Sequence, residues 1–300
     1  MGAAAPGLAG DRRAARIVEL GPERSLHAVT GGEGADLVLI HGAMTTHRDW
    51  LDGPFDALTA LGRVTAVDRP GHGLSRRGRF EGSPRLQAAQ MRQGLARLGV
   101  ERPVLIAHSF GCLCALAYAE LFPGEVAGLV LVAPLAFPEV RPFEHAFFAP
   151  RAAPLVGPAL ARMIPAHLDR AVLAALHRIM FAPDAPSPAW RRNYPWEQIL
   201  DPAAIVANGE DAAAAHPLSF ESRLDLRSIG APAHIISGTA DLVIREELQA
   251  ERLQAALPRA GHSRLEGVGH MAHHSRPDAV VAAARDALDA DRPGADRPGP

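Results

Sequence analysis

Apolar residues in this chain gather into short unbroken runs separated by stretches of helical rhythm. Leu37–Ile40, Val64–Val67, Val104–Ala107 and Gly128–Val132 are each four or five residues of almost purely apolar character. Runs of that length without alternation suit strands covered on both faces, as in a parallel sheet. Two further strands are predicted at His234–Ser237 and Ser263–Glu266. Helices are predicted from Trp50 to about Leu61, over Arg85–Leu98, through Cys112–Ala119 and over Arg245–Leu257. A last helix opens at Pro277, where a first-turn proline is well tolerated, and runs to about Leu288. Ahead of all these, Arg16–Leu20 and Ser25–Thr30 flank Gly21-Pro22 and read as a hairpin at a sheet edge. Strand and helix alternate, so the predicted class is α/β: a mostly parallel, eight-stranded sheet with helices on both faces.

Residues 136–226 break the alternation. They are rich in Pro, Ala and aromatics, and their apolar spacing is helical. The clearest helix is Ala166–Phe181, with Leu168, Val172, Leu173, Leu176, Ile179 and Met180 three or four apart. The stretch is too long for a loop, and it reads as a helical cap inserted after the strand ending at Val132. The expected organisation is therefore a flexible arm over 1–14, a core over 15–135 and 227–289, the helical cap over 136–226, and a disordered tail over 290–300 whose Asp-Arg-Pro-Gly repeats itself.

Composition narrows the class without choosing a chemistry. The 300 residues are 48% hydrophobic and 21% charged, with a net charge of −2. That balance argues against a nucleic-acid or anionic-membrane partner recruited by bulk charge. All 31 basic residues are arginine and they are scattered. Cys112 and Cys114 lie two apart on one predicted helix, point in different directions, and suit buried packing better than a disulfide or a redox site. No apolar run approaches a membrane span and the first ten residues lack a signal-peptide core. A soluble cytoplasmic protein, monomer or homodimer, is the expectation.

The candidate chemistry lies at strand ends. Val104–Ala107 runs into His108-Ser109-Phe110-Gly111 and then into a helix. A serine between small residues at a strand-to-helix junction has the form of a nucleophile elbow, G-x-S-x-G with Ala107 in the first glycine's place. The competing reading is a serine N-cap. An oxyanion formed beside Ser109 would meet the Phe110 N–H at the positive end of the helix. Two more polar residues follow predicted strands, Asp241 after Gly238-Thr239-Ala240 and His270 after Gly267-Val268-Gly269. In a parallel sheet those strand ends share one edge. A serine hydroxyl needs a base within reach, and that base needs an orienting carboxylate. Asp68 also ends a strand, whereas the position after Val132 holds Pro134 and Leu135. His270, His273 and His274 cluster in sequence, but no carboxylate or cysteine sits with them at ligand spacing, so no metal is expected.

With His41-Gly42, Asp68-Arg69-Pro70-Gly71-His72-Gly73-Leu74-Ser75, the elbow, Gly238-Thr239-Ala240-Asp241 and Gly269-His270 in this order, the chain resembles the α/β-hydrolase family in its capped serine hydrolase and esterase branch, from about residue 16 to 289. The resemblance implies Ser109 as nucleophile, His270 as base, Asp241 as the acid orienting it, and an oxyanion hole from the Phe110 and Ala43 N–H groups. It implies a structural role for the Asp68 loop and no cofactor. Residues expected to contact a small apolar acyl or aryl substrate are His41, Met44, Phe137, Phe147 and Trp190. The implied activity is hydrolysis of a carboxylic ester or related acyl compound. Carbon–carbon bond hydrolysis of ring-fission products, acyl transfer on the same triad, and a ligand-binding, receptor-like member remain alternatives. Dehalogenases and epoxide hydrolases of this fold carry aspartate at the elbow, where this chain has Ser109.

Overall fold

The computed structural model describes residues 13–291. Eight strands form one sheet: β1 (Ala14–Gly21), β2 (Arg24–Gly31), β3 (Asp36–Ile40), β4 (Arg63–Val67), β5 (Val104–His108), β6 (Gly128–Val132), β7 (Ala233–Gly238) and β8 (Ala260–Leu265). Their spatial order is β1-β2-β4-β3-β5-β6-β7-β8. Only β2 runs against its neighbours, pairing antiparallel with β1 and with β4, and every other pairing is parallel. The sheet is the mostly parallel one that the apolar runs predict.

Successive side chains of a strand point to opposite faces, and here they feed two cores. Val38, Ile40, Leu105, Ala107, Leu129 and Leu131 pack on one face beneath the helices Pro84–Arg97, Phe110–Leu121 and Ala250–Ala256. Leu37, Leu39, Ile106, Val130 and Val132 pack on the other with Trp50, Phe55 and the helix Pro277–Ala290. This two-sided cover explains why the interiors of the central strands are almost wholly apolar, with Thr65 the one polar residue inside them and Asp36, Arg63 and His108 at their ends.

Several element boundaries differ from expectation. The helix expected from Trp50 to Leu61 is two short ones, Arg48–Leu51 and Phe55–Thr59, because Gly53-Pro54 interrupts it. The helix expected over 245–257 is a 3₁₀ turn at Glu246–Leu248 followed by Ala250–Ala256. β8 begins at Ala260, earlier than its apolar content suggests, since the parallel pairing of Ala233 with Ala260 sets its start. The arm expected over 1–14 lies outside the described residues except Arg13 and Ala14, and Ala14 already pairs with Thr30 in β1. The tail expected from 290 lies outside them except Ala290, which ends the last helix, and Asp291, which bonds Arg102.

Between β6 and β7 the chain is helical. Its longer helices are Ala166–Phe181 and Pro202–Ala214, the latter capped by Asp201, whose side chain accepts from the Ala203 N–H at 2.8 Å. Leu173, Met180, Phe181, Trp190, Tyr194, Ile199, Ile205 and Val206 form a third core, which takes in Met44 and Met271 from the loops of the sheet. The helix Ala166–Phe181 is turned from its expected face. Leu168 and Ile179 are exposed, while Asp169, Leu173, His177 and Met180 are buried. Burial of Asp169 is compensated by a two-bond pairing with Arg151 at 2.8 and 2.9 Å.

Candidate active site

Ser109 sits where β5 meets the helix Phe110–Leu121, with φ 51° and ψ −119°. A non-glycine residue holds such a conformation only when its surroundings impose it, at roughly 1–3 kcal/mol. The restraints are visible. The Ser109 N–H donates to the Val132 carbonyl at 3.0 Å, and the Ser109 carbonyl accepts from the Cys112 and Leu135 N–H groups at 3.0 and 3.2 Å. Gly111 permits the junction to close, since a Cβ there would lie 2.6 Å from the His41 carbonyl oxygen and 2.7 Å from that of Ile40. An N-cap serine would have β-region dihedrals and accept from an N–H of the first turn. Ser109 does neither.

His270 and Asp241 meet at the same edge. His270 Nδ1 lies 2.8 Å from Asp241 Oδ2, and both side chains are almost fully buried. The other carboxylate oxygen, Oδ1, accepts from the Val243 and Ile244 N–H groups at 2.7 and 2.9 Å. With Asp241 accepting, Nδ1 carries the proton and Nε2 is left as the acceptor. Among the described residues no hydrogen bond joins His270 to the Ser109 hydroxyl. The link between them is His108, whose Nε2 donates to the His270 carbonyl at 3.1 Å and whose ring lies 4.8 Å from the His270 ring. Burial holds the His108 imidazole well below its usual pKa, so it is neutral here.

The His41-Gly42-Ala43-Met44 loop lies directly against the serine. A Cβ on Gly42 would be 2.9 Å from His108 Nδ1 and 3.2 Å from Ser109 Cβ. His41, expected among the substrate contacts, is fully buried behind this loop. Its Nε2 accepts from the Arg69 N–H at 2.9 Å, so its Nδ1 donates to the Gly42 carbonyl at 2.7 Å. Burial and the Arg69 charge keep it neutral. Met44 lines the space beside Ser109, together with Ala43, Phe110, Leu135, Phe148 and Asn208. That space is small, about 20 Å³, hardly more than one water needs. A much larger cavity, about 540 Å³, lies elsewhere, lined by Arg76, Arg77, Arg79 and Glu210 among others.

Other expected contacts fall outside the space around Ser109. Phe137 packs beneath the Arg252 guanidinium, 4.2 Å from its ring, and its N–H donates to Gln249. Phe147 stacks on Phe143 and under Arg151. Trp190 is buried among Phe181, Tyr194 and His177, and its Nε1–H donates to Asp49 at 3.1 Å. Each aromatic is spent on the packing of its own neighbourhood, which periodicity alone does not reveal.

Two carboxylates draw histidines around themselves. Asp68 accepts from His27 Nδ1, His47 Nδ1 and the His47 and Leu74 N–H groups at 2.8–3.0 Å. That shell ties its loop together and does not include His270. Asp49 accepts from His273 Nε2 and His274 Nε2, each at 2.9 Å. The sequence places no carboxylate with these histidines at ligand spacing, and the structure supplies one from more than two hundred residues away. Burial opposes the Asp49 charge, but His273 and His274 outweigh it and hold the carboxyl well below its usual range. Its lone pairs are met by imidazole and indole donors, while the other ring nitrogen of His273, Nδ1, is buried without a partner.

Residues with no motif of their own also shape the site. Asn208 Oδ1 accepts from the Met44 N–H at 3.0 Å, and the Tyr194 hydroxyl donates to the Met44 carbonyl at 2.6 Å. Arg69 and Asp211 meet at 2.7 Å, both fully buried. Arg69 lies in the Asp68–Ser75 motif, but no local pattern marks Asn208, Tyr194 or Asp211, because each acts across more than a hundred positions.

The family model described as "Alpha/beta hydrolase family" matches residues 37–284. Over 262 residues the chain is 28% identical to uncharacterized protein Rv2715 of Mycobacterium tuberculosis, covering 82% of this chain and 73% of that one. It is 33% identical over 110 residues to abhydrolase domain-containing protein abhd-5.2 of Caenorhabditis elegans, covering 35% of this chain and 24% of that protein's length. Among solved structures, a thermophilic esterase from Thermogutta terrifontis superposes with a TM-score of 0.69 at 21% identity, over 94% of this chain and 100% of that one. That last likeness concerns the fold. No helix among the described residues is long and apolar enough to cross a membrane.

Proposed function

The chain belongs to the alpha/beta hydrolase family, and from that membership we propose that it is a serine hydrolase cleaving a carboxylic ester or a related acyl substrate. The observation that carries this reading is the backbone of Ser109, held at φ 51° with no capping bond. That is a conformation a nucleophile needs and a cap does not.

In the proposed reaction Ser109 Oγ attacks the substrate carbonyl carbon while His270 Nε2 takes its proton. Asp241 keeps the Nδ1 proton in place and stabilises the imidazolium. The Phe110 N–H, free of an intrahelical partner at the first turn, and the Ala43 N–H stabilise the oxyanion. Collapse breaks the acyl–oxygen bond, and His270 returns the proton to the departing alcohol. Water, deprotonated by His270, then attacks the acyl-enzyme. The acid leaves and Ser109 regains its proton.

The helical segment 136–226 serves as a cap in this reading. Its Phe148 and Asn208 line the same space as Ser109, and that space, about 20 Å³, is too small for an acyl chain. Entry of substrate therefore requires the segment to shift. The apolar lining from Met44, Phe110, Leu135 and Phe148 favours a modest apolar acyl group.

A fluorophosphonate probe with mass mapping tests the proposal. Labelling at Ser109, abolished in Ser109→Ala and lost in His270→Ala, is the expected outcome. A folded chain that takes no label refutes it and favours a binding protein. p-Nitrophenyl esters of rising chain length, run against a vinylogous 1,5-diketone, separate ester from carbon–carbon cleavage.

A further inference from the structure

The hydrogen bonds of one buried arginine converge on the loop beside Ser109. Arg69 is fully buried. Its Nε–H donates to the His41 carbonyl at 3.0 Å and its Nη2 to the Gly42 carbonyl at 3.2 Å. Its Nη1 donates to Gln87 Oε1 and to Asp211 Oδ2, both at 2.7 Å. The guanidinium lies over the Phe110 ring, 4.6 Å from its centroid. One rigid, planar group thus touches the carbonyls that precede Gly42 and Ala43, the side chain of Phe110, and a carboxylate from the inserted segment.

We propose that Arg69 is the positioning residue of the oxyanion hole, and that the inserted helix Pro202–Ala214 sets it through Asp211. The proposal rests on the serine hydrolase reading above. The physical link is the Gly42–Ala43 peptide. In a trans peptide the C=O and the N–H point in opposite directions. The Gly42 carbonyl is held from one side by His41 Nδ1–H at 2.7 Å and by Arg69. The Ala43 N–H is thereby held to the other side, and rotating the peptide would break both bonds. His41 is itself fixed by the Arg69 backbone N–H, so Arg69 acts on this carbonyl directly and through its neighbour.

The inserted helix grips the same loop at two points. Asp211 accepts from Arg69, His72, Arg77 and Gln87 at 2.7–2.9 Å. Asn208, three residues earlier and so on the same helix face, accepts from the Met44 N–H. One face therefore holds the peptides on both sides of Ala43. When the segment docks, the hole is in place. When it lifts to admit substrate, Asp211 and Asn208 leave together and the peptide loses its outer support. Acyl transfer is then confined to the state in which the segment has closed again over the bound acyl group, with Asp211 and Asn208 back in place and room left for the water that deacylation uses.

The test compares full-length Arg69→Lys, Arg69→Gln, Asp211→Asn and wild type. Active-site titration with the fluorophosphonate normalises each to its competent fraction, so partial misfolding does not enter the result. Lysine keeps the charge but lacks the fork that spans two carbonyls and Asp211. The expected outcome is a fall in kcat of about 10- to 100-fold in both Arg69 variants, with KM within about threefold, since a misplaced donor loses part of the 10²–10³-fold an oxyanion donor supplies. Asp211→Asn, which removes no heavy atoms, should show a smaller fall of the same kind. A trifluoromethyl ketone that mimics the tetrahedral adduct should lose affinity in step with kcat/KM, while a ground-state product acid should not. Equal losses for both inhibitors, or an unchanged kcat per titrated site, overturn the proposal in favour of a purely structural network. Wild type that takes no label at Ser109 instead overturns the hydrolase reading itself.

Discussion

Buried histidines make the stability of this protein steeply pH-dependent on the acid side. His72, His177 and His273 are each lowered to about 4. Burial is the main cause in all three, reinforced for His72 by the Arg69 charge and opposed for His273 by Asp49. In the unfolded chain each returns to about 6.5. A folded-state value below the unfolded one means that stability is full above pH 6.5 and drains away between 6.5 and 4, as the unfolded chain takes up protons the folded chain refuses. Between pH 7.5 and 5.5 each histidine costs about 1.4 kcal/mol, so the three together cost about 4 kcal/mol, a large part of the usual 5–15 kcal/mol. His41 and His108, also held well below their ordinary value, act in the same direction. Asp49, Asp68 and Asp211 are held below the usual carboxylate range and take up protons only at lower pH, so they leave this window clear. Urea unfolding at the two pH values measures the difference. A free energy of unfolding that changes by less than about 1 kcal/mol would refute the reasoning. His177→Gln, which removes one titrating group, should shrink the drop by about 1.4 kcal/mol.

Two further outcomes follow from the elbow. Gly111→Ala forces a Cβ to within 2.6 Å of the His41 carbonyl oxygen, against backbone that cannot yield. It should destabilise the chain by about 3 kcal/mol in urea unfolding and slow fluorophosphonate labelling, and a variant of native stability contradicts the close approach. Cys112 and Cys114 are buried and unpaired, and burial pushes their thiols up, Cys114 to about 12. Ellman's reagent should find no reactive thiol in the native chain and two after denaturation, so rapid native labelling would show the helix behind Ser109 to be open.

Much of the fold is written in neighbouring residues. Four almost purely apolar runs define central strands because a strand covered on both faces has little place for a polar side chain, and the Gly21-Pro22 turn marks the edge hairpin. The strand–serine–glycine–helix junction is equally local, since a tight turn excludes Cβ atoms within a few positions of itself. The face of the helix Ala166–Phe181 was beyond such reasoning. Its buried stripe contains Asp169, which hydrophobic periodicity assigns to solvent, and only the Arg151 side chain docking against it makes that burial affordable.

The surroundings of Ser109 divide in the same way. Which serine, histidine and carboxylate to single out was decided by motif and order along the chain. The contacts that hold their neighbours were decided by docking. Asp211 reaches Arg69 across 142 positions, Asn208 reaches Met44 across 164, and Asp49 gathers His273 and His274 from 224 and 225 away. Backbone preference depends on adjacent residues and leaves its trace in the sequence. A buried hydrogen bond depends on where two remote surfaces meet, and that is settled only when the inserted helices pack against the loops of the sheet.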